Sequence, residues 1–309
     1  MAELILHHYS LSTFSEKVRA ALGLKGLAYR SVDIAPAPPR PLLAPLTGGY
    51  RRVPVLQVGA DIFCDTNIIL PALERMHPEP TLYPAGCEGV ARGLGFAWER
   101  QMWIPTIGVL AHFLGDMFPA EFVKDRKEGY LGFDISKAAM APLLAAHLQH
   151  LHAQYAWLKT VLADGRNFIF GEAPSALDLA CFQTTALMRK NCPQIELDAM
   201  AGLAPLLPWY GRIEALGHGQ PEPMSEQQAF DIARNASPAA VTHIEPNGDP
   251  SGLSAGTEVT VTPDDNARVT VTGTLVAASD SEVVIRRRDE QAGELHIHFP
   301  RLGYDLVAA

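Results

Sequence analysis

Three short segments carry the side chains best suited to chemistry. The first, Tyr9-Ser10-Leu11-Ser12-Thr13-Phe14-Ser15-Glu16, gathers hydroxyls just ahead of a helical pattern. Ser12 is the leading candidate there, with Tyr9 and Thr13 as alternates. A hydroxyl donor and a helix N-terminus both favour an anion. A thiol suits such a place, because its ordinary pKa of about 8.5 leaves little thiolate at neutral pH. Lowering that pKa by about one to two units, each worth about 1.4 kcal/mol, makes thiolate the main form. The second segment, Arg52-Val53-Pro54-Val55-Leu56, brings a proline in near the start of a strand, beside a guanidinium that suits a carboxylate. The third, Asp65-Thr66-Asn67, caps a helix, and helix N-termini bind anions through their unpaired N–H groups. A plain cap and an anion site can coexist at that position.

The elements that must position these segments follow from local pattern. Residues 4–9 are apolar and β-prone. Ser15 reads as the N-cap of a helix over 16–24, stopped by Gly26. A strand follows at 28–33, and five prolines between 36 and 45 then forbid a long regular element. Residues 53–58 and 62–64 read as strands joined by a turn at Gly59-Ala60, and a helix carrying Ile68, Ile69, Leu70 and Leu73 follows. The order βαβ, irregular segment, ββα is that of a thioredoxin-like domain, placed at 1–83. Amphipathic patterns at 90–114, 135–162, 178–190 and 206–216 predict an all-helical second domain at 88–219. The patterns make 135–162 the longest helix. Gln220-Pro221-Glu222-Pro223 opens a linker at 220–250 that contains a short helix from Ser225. Period-two alternation at 257–262, 268–277, 282–288, 294–299 and 304–307 then predicts five strands, a small β-barrel-like domain at 251–309.

Together these motifs resemble the cytosolic glutathione transferase family, over residues 1 to about 218. The family joins a thioredoxin-like domain to an all-helical one; the strand-rich tail is not part of its standard form. The resemblance implies that Ser12 donates a hydrogen bond to the glutathione sulfur, as in theta- and zeta-like members. Other classes use an early tyrosine, which keeps Tyr9 in play. It implies a cis Pro54 that presents the Val53 backbone to the cysteinyl unit of glutathione. Arg52 would face the glycyl carboxylate, Thr66 the γ-glutamyl carboxylate and Asp65 its ammonium, with Phe14 beside them. Gly171-Glu172-Ala173-Pro174-Ser175-Ala176-Leu177-Asp178 resembles the family's helix-capping box, with Ser175 and Asp178 satisfying each other's N–H groups. Pro205, Trp209, Arg212 and Ile213 recur at similar spacing. The implied activity is attack of the glutathione thiolate on a largely apolar electrophile by a homodimeric enzyme, with glutathione as co-substrate. A glutathione-dependent isomerase, ether-cleaving enzyme or dehalogenase, or a non-catalytic binding protein of the same fold, are the alternatives.

Composition limits the partners. The 309 residues carry a net charge of −9, which argues against nucleic acid, since phosphate binding needs clustered Lys and Arg. The one basic run, Arg286-Arg287-Arg288, reads as a solvated strand face. Neither a signal peptide nor a membrane span is apparent, so a cytoplasmic location is expected. The four scattered cysteines, Cys64, Cys87, Cys181 and Cys192, read as reduced thiols. No metal is expected. His147, His150 and His152 lack a matching carboxylate, and His296 with His298 reads as a solvent-facing pair on one strand face. His7 and His8 should alternate in and out. Trp98, Trp103 and Phe113 read as core, subunit contact or acceptor-pocket lining.

Overall fold

The computed structural model describes residues 3–244 and 251–309. In chain order it begins with β1 (Ile5–His8), α1 (Thr13–Leu24), β2 (Ala28–Asp33), α2 (Leu43–Thr47), β3 (Val55–Val58), β4 (Asp61–Cys64) and α3 (Thr66–Met76). Then come α4 (Glu88–Leu114), α5 (Ala120–Asp125), α6 (Lys137–Met140), α7 (Leu144–Val161), α8 (Ala176–Asn191), α9 (Gln194–Ala201) and α10 (Leu207–Glu214). The chain ends with β5 (Gln220–Pro223), α11 (Glu226–Asn235), β6 (Glu258–Pro263), β7 (Val271–Ala278), β8 (Glu282–Asp289), β9 (Gly293–Pro300) and β10 (Tyr304–Ala308). Its contacts divide into two compact units. One holds the described residues of 1–15, 28–72 and 220–309; the other holds 16–27 and 73–219.

The first unit is built on one ten-stranded sheet in the order β10-β6-β7-β8-β9-β4-β3-β1-β2-β5. At its centre is the expected thioredoxin-like arrangement, with β2 parallel to β1 and β3 antiparallel to both β1 and β4. The five tail strands are present as well. β6 to β9 form a meander and β10 returns onto β6. Their sheet does not stand apart: the outer edge of β9 pairs in parallel with β4. The stretch expected to open the linker is a strand too, β5, which lies parallel to β2 at the far edge. A sheet edge is where prolines are tolerated, because their missing N–H need not face a neighbour. One apolar core serves these strands other than the exposed β5, with Ile5, Val55 and Ile62 packed among Val261, Ile285, Ile297 and Phe299.

α11 adds Ala229, Phe230 and Ala233 to that core, and a Ser225–Gln228 capping box starts it. Gln57 on β3 ties it down by donating to the Ala229 carbonyl at 2.8 Å. The Gln57 amide oxygen meets His7 Nε2 at 2.8 Å. His7 and His8 do not alternate in and out. Both are buried, and His8 Nε2 sits 2.8 Å from Ser31 Oγ. Burial, only partly offset by the Gln57 bond, lowers the His7 pKa to about 4, so the ring is neutral at pH 7. The basic run matches its reading better: Arg286 and Arg288 are exposed on β8.

The second unit is helical, with α4 packed against α7 and α8. The helix expected over 135–162 is broken. α6 ends at Met140, Pro142 lies in a 3-10 turn, and α7 begins at Leu144. Proline supplies no N–H to continue the ladder. The longest helix is instead α4, at 27 residues. At the start of α8, Asp178 accepts the Ser175 N–H at 2.9 Å, the Ser175 hydroxyl at 2.6 Å, the Ile169 N–H at 3.0 Å and Trp209 Nε1–H at 2.8 Å. Arg212 Nε donates to the Asn167 carbonyl at 2.9 Å. Two buried charges pair inside the unit, Lys17 Nζ with Glu99 at 2.6 Å, and Gln183 Nε2 donates to the same carboxylate oxygen at 2.7 Å. Trp98 is buried, Trp103 and Phe113 are half-buried, and His147 packs onto Gly108. No described helix is long and apolar enough to cross a membrane.

Candidate active site

Strand register brings the three segments to one end of the sheet. His7 on β1 lies opposite Val55 on β3, and Val55 lies opposite Cys64 on β4. Tyr9 to Ser12 leave β1, Val53-Pro54 enter β3, and Asp65-Thr66 leave β4, all at that end. Residues more than 50 positions apart in sequence therefore meet there without any special contact.

Each segment has its own local geometry. The first helix begins at Thr13, three residues before the expected start, and Ser12 rather than Ser15 caps it. Ser12 Oγ accepts the Ser15 N–H at 3.2 Å, and the Ser12 N–H donates to the Tyr9 carbonyl at 3.1 Å. The cap occupies one lone pair of the hydroxyl. Among the described residues no acceptor takes its proton. Ser12 is 6% exposed and Thr13 3%, while Tyr9 and Phe14 are half-buried. The Val53–Pro54 peptide is cis, with Pro54 buried and Val53 half-buried. Asp65 has a φ of 96°, in the left-handed region that aspartate tolerates better than most residues. Its Oδ1 accepts the Asn67 N–H at 2.9 Å, which fixes the turn into α3, and Thr66 is buried as the first residue of that helix.

Two of the candidates are held by the tail. The Arg52 guanidinium pairs with the Asp265 carboxylate and the Asn266 carbonyl, and stands 5.9 Å over the Tyr304 ring. Tyr304 donates its hydroxyl to Asp65 Oδ2 at 2.9 Å, and its oxygen lies 2.8 Å from the Tyr50 hydroxyl. Burial, together with the nearby Asp65 charge, pushes both phenols well above their ordinary pKa, so they act as neutral donors. Tyr50, Asp265 and Tyr304 are not among the residues the local patterns single out. The only sequence signals are a turn at Asp264-Asp265-Asn266 and a tyrosine opening the last strand.

The model of the glutathione S-transferase N-terminal domain matches residues 6–81, and that of the C-terminal domain matches residues 141–212. The chain is 33% identical to a GST-like protein from Pseudomonas syringae, a likeness covering 99% of this chain and 100% of that one with a TM-score of 0.77. The chain belongs to the glutathione transferase family. Its likeness to the Pseudomonas protein runs through the strand-rich tail as well as the two standard domains. A glutathione S-transferase from Ceriporiopsis subvermispora, solved in complex with glutathione, shares the fold at 18% identity and a TM-score of 0.52, over 70% of this chain and 98% of that one. Among curated proteins no match was found.

Proposed function

We propose that the protein is a cytoplasmic, homodimeric glutathione transferase that uses Ser12 to hold the glutathione thiolate. The Ser12 hydroxyl carries the reading: it sits at a helix start with its lone pair engaged and its proton uncommitted among the described residues. A sulfur anion accepts that proton's hydrogen bond and gains from the helix N-terminus. The Val53 backbone pairs with the cysteinyl unit, while Thr66 and the N-terminus of α3 take the γ-glutamyl carboxylate. Asp65 takes the ammonium, and Arg52, already steadied by Asp265, supplies positive charge toward the glycyl carboxylate. The thiol proton leaves to solvent. The sulfur lone pair then forms a bond to an electrophilic carbon of an apolar second substrate, as the leaving group departs with its electron pair. The glutathione bound to the Ceriporiopsis relative supports the choice of thiol.

Retention on immobilised glutathione, together with glutathione-dependent turnover of a generic aryl halide, tests the proposal. Failure to bind glutathione overturns it; binding without turnover across several electrophile classes favours a non-catalytic role. Tyr304→Phe provides a finer test. The loss of its bond to Asp65 should raise KM for glutathione about three- to tenfold with kcat nearly unchanged, as expected for lost ground-state binding. A change in melting temperature alone, with KM intact, would mean that Tyr304 only braces the fold.

A further inference from the structure

The histidine pair on β9 does not face solvent. His296 and His298 are 9% and 3% exposed. They lie two residues apart on one strand, so they share a face, and β9 runs beside β4 with His296 opposite Asp61 and His298 opposite Phe63. Asp61 Oδ1 stands 3.1 Å from His298 Nε2 and 3.7 Å from His296 Nδ1. The three ligand atoms all lie within 4.8 Å of one another. His296 Nδ1 is a buried nitrogen with no hydrogen-bond partner among the described residues, and it points at this group. Nitrogen and oxygen ligands at about 2.0–2.1 Å in a tetrahedron stand about 3.3 Å from each other, between the two measured spacings.

We propose that Asp61, His296 and His298 form a binding site for a divalent cation of the zinc type, with a fourth position open to water. Two further observations support it. The far nitrogen of His298, Nδ1, sits 2.7 Å from Glu282 Oε1, and the other Glu282 oxygen lies 2.9 Å from His243 Nε2. That is the carboxylate–histidine–metal arrangement, in which the outer carboxylate fixes the ring and makes it a better ligand. The second Asp61 oxygen accepts the Ala239 N–H at 2.9 Å, which aims Oδ1 at the two rings. Asp61 and Glu282 set two carboxylates against the rings, negative charge that a divalent ion offsets. Because the ligands come from β4 and β9, the ion would clasp the tail to the thioredoxin-like strands.

The test uses the full chain, stripped with chelator and titrated with Zn²⁺ against a chromophoric competitor, and with Co²⁺ followed by visible absorption. One equivalent of zinc should bind, and cobalt should give the intense ligand-field band of a four-coordinate site. His296→Ala should weaken zinc binding by about tenfold or more. It should leave circular dichroism and glutathione retention unchanged, because His296 Nδ1 makes no hydrogen bond among the described residues. His298→Ala is a poorer probe, since it also breaks the Glu282 and Asp61 bonds. Absence of the cobalt band, or equal zinc affinity in His296→Ala and the parent, overturns the proposal and leaves the group as a proton-sharing network.

Discussion

Replacing Ser12 by alanine should cut glutathione-dependent kcat by about 100-fold, the usual cost of one donor aimed at a developing or stored anion. The pH at which bound glutathione ionises, read from thiolate absorbance, should rise in the same variant. Two effects are separable. Ser12 Oγ also caps α1 through the Ser15 N–H, so about 1 kcal/mol of stability should disappear as well. Ser12→Thr retains both the lone pair and the proton, and should recover much of the rate and the cap. Tyr9→Phe and Thr13→Ala are the informative companions. If either lowers kcat more than Ser12→Ala does, the sulfur lies against that residue instead.

The largest stability effect is expected at Asp178, in the helical unit. Asp178→Ala leaves four buried donors without their acceptor: the N–H and hydroxyl of Ser175, the Ile169 N–H and the Trp209 indole. Each buried donor left unsatisfied costs about 1–3 kcal/mol, so the loss should reach about 4 kcal/mol or more. That is a large fraction of the roughly 5–15 kcal/mol that holds a typical domain folded. Urea unfolding should show it as a shift in midpoint, with Ser175→Ala as a milder control at about 1 kcal/mol. A loss under 1 kcal/mol for Asp178→Ala would mean that water replaces the carboxylate and that the network is not buried in solution.

These two residues show what was legible in advance. The Ser175–Asp178 box joins residues three apart, a local rule readable from spacing. The cap of α1, by contrast, falls at Ser12 and not at the expected Ser15, and the Trp209 bond to Asp178 spans 31 residues. Local signals also mark strands β1 to β4, through their hydrophobic period and turns. The misread features depend on distant partners. His296 and His298 alternate like a solvent face, yet β4 comes alongside and buries them. Pro221 and Pro223 look like linker residues until β2 supplies an edge for them. Tyr304 is marked locally only as the opening of the last strand; its meaning comes from Asp65, 239 residues earlier in the chain. The break at Pro142 is a different case, a local signal given too little weight against a long amphipathic pattern.

The pairing of β4 with β9 also sets a timetable for biosynthesis. Phe63 on β4 must wait for His298, so some 235 residues must be added before its strand has a neighbour on that side. At about 5–20 residues per second the nascent chain keeps that edge and its apolar face uncovered for roughly 10–50 s. Unpaired edges invite foreign strands. The protein's yield in a cell should therefore depend on what guards β4 during translation, and a ribosome stalled anywhere before residue 293 would release a sticky sheet rather than a smaller enzyme.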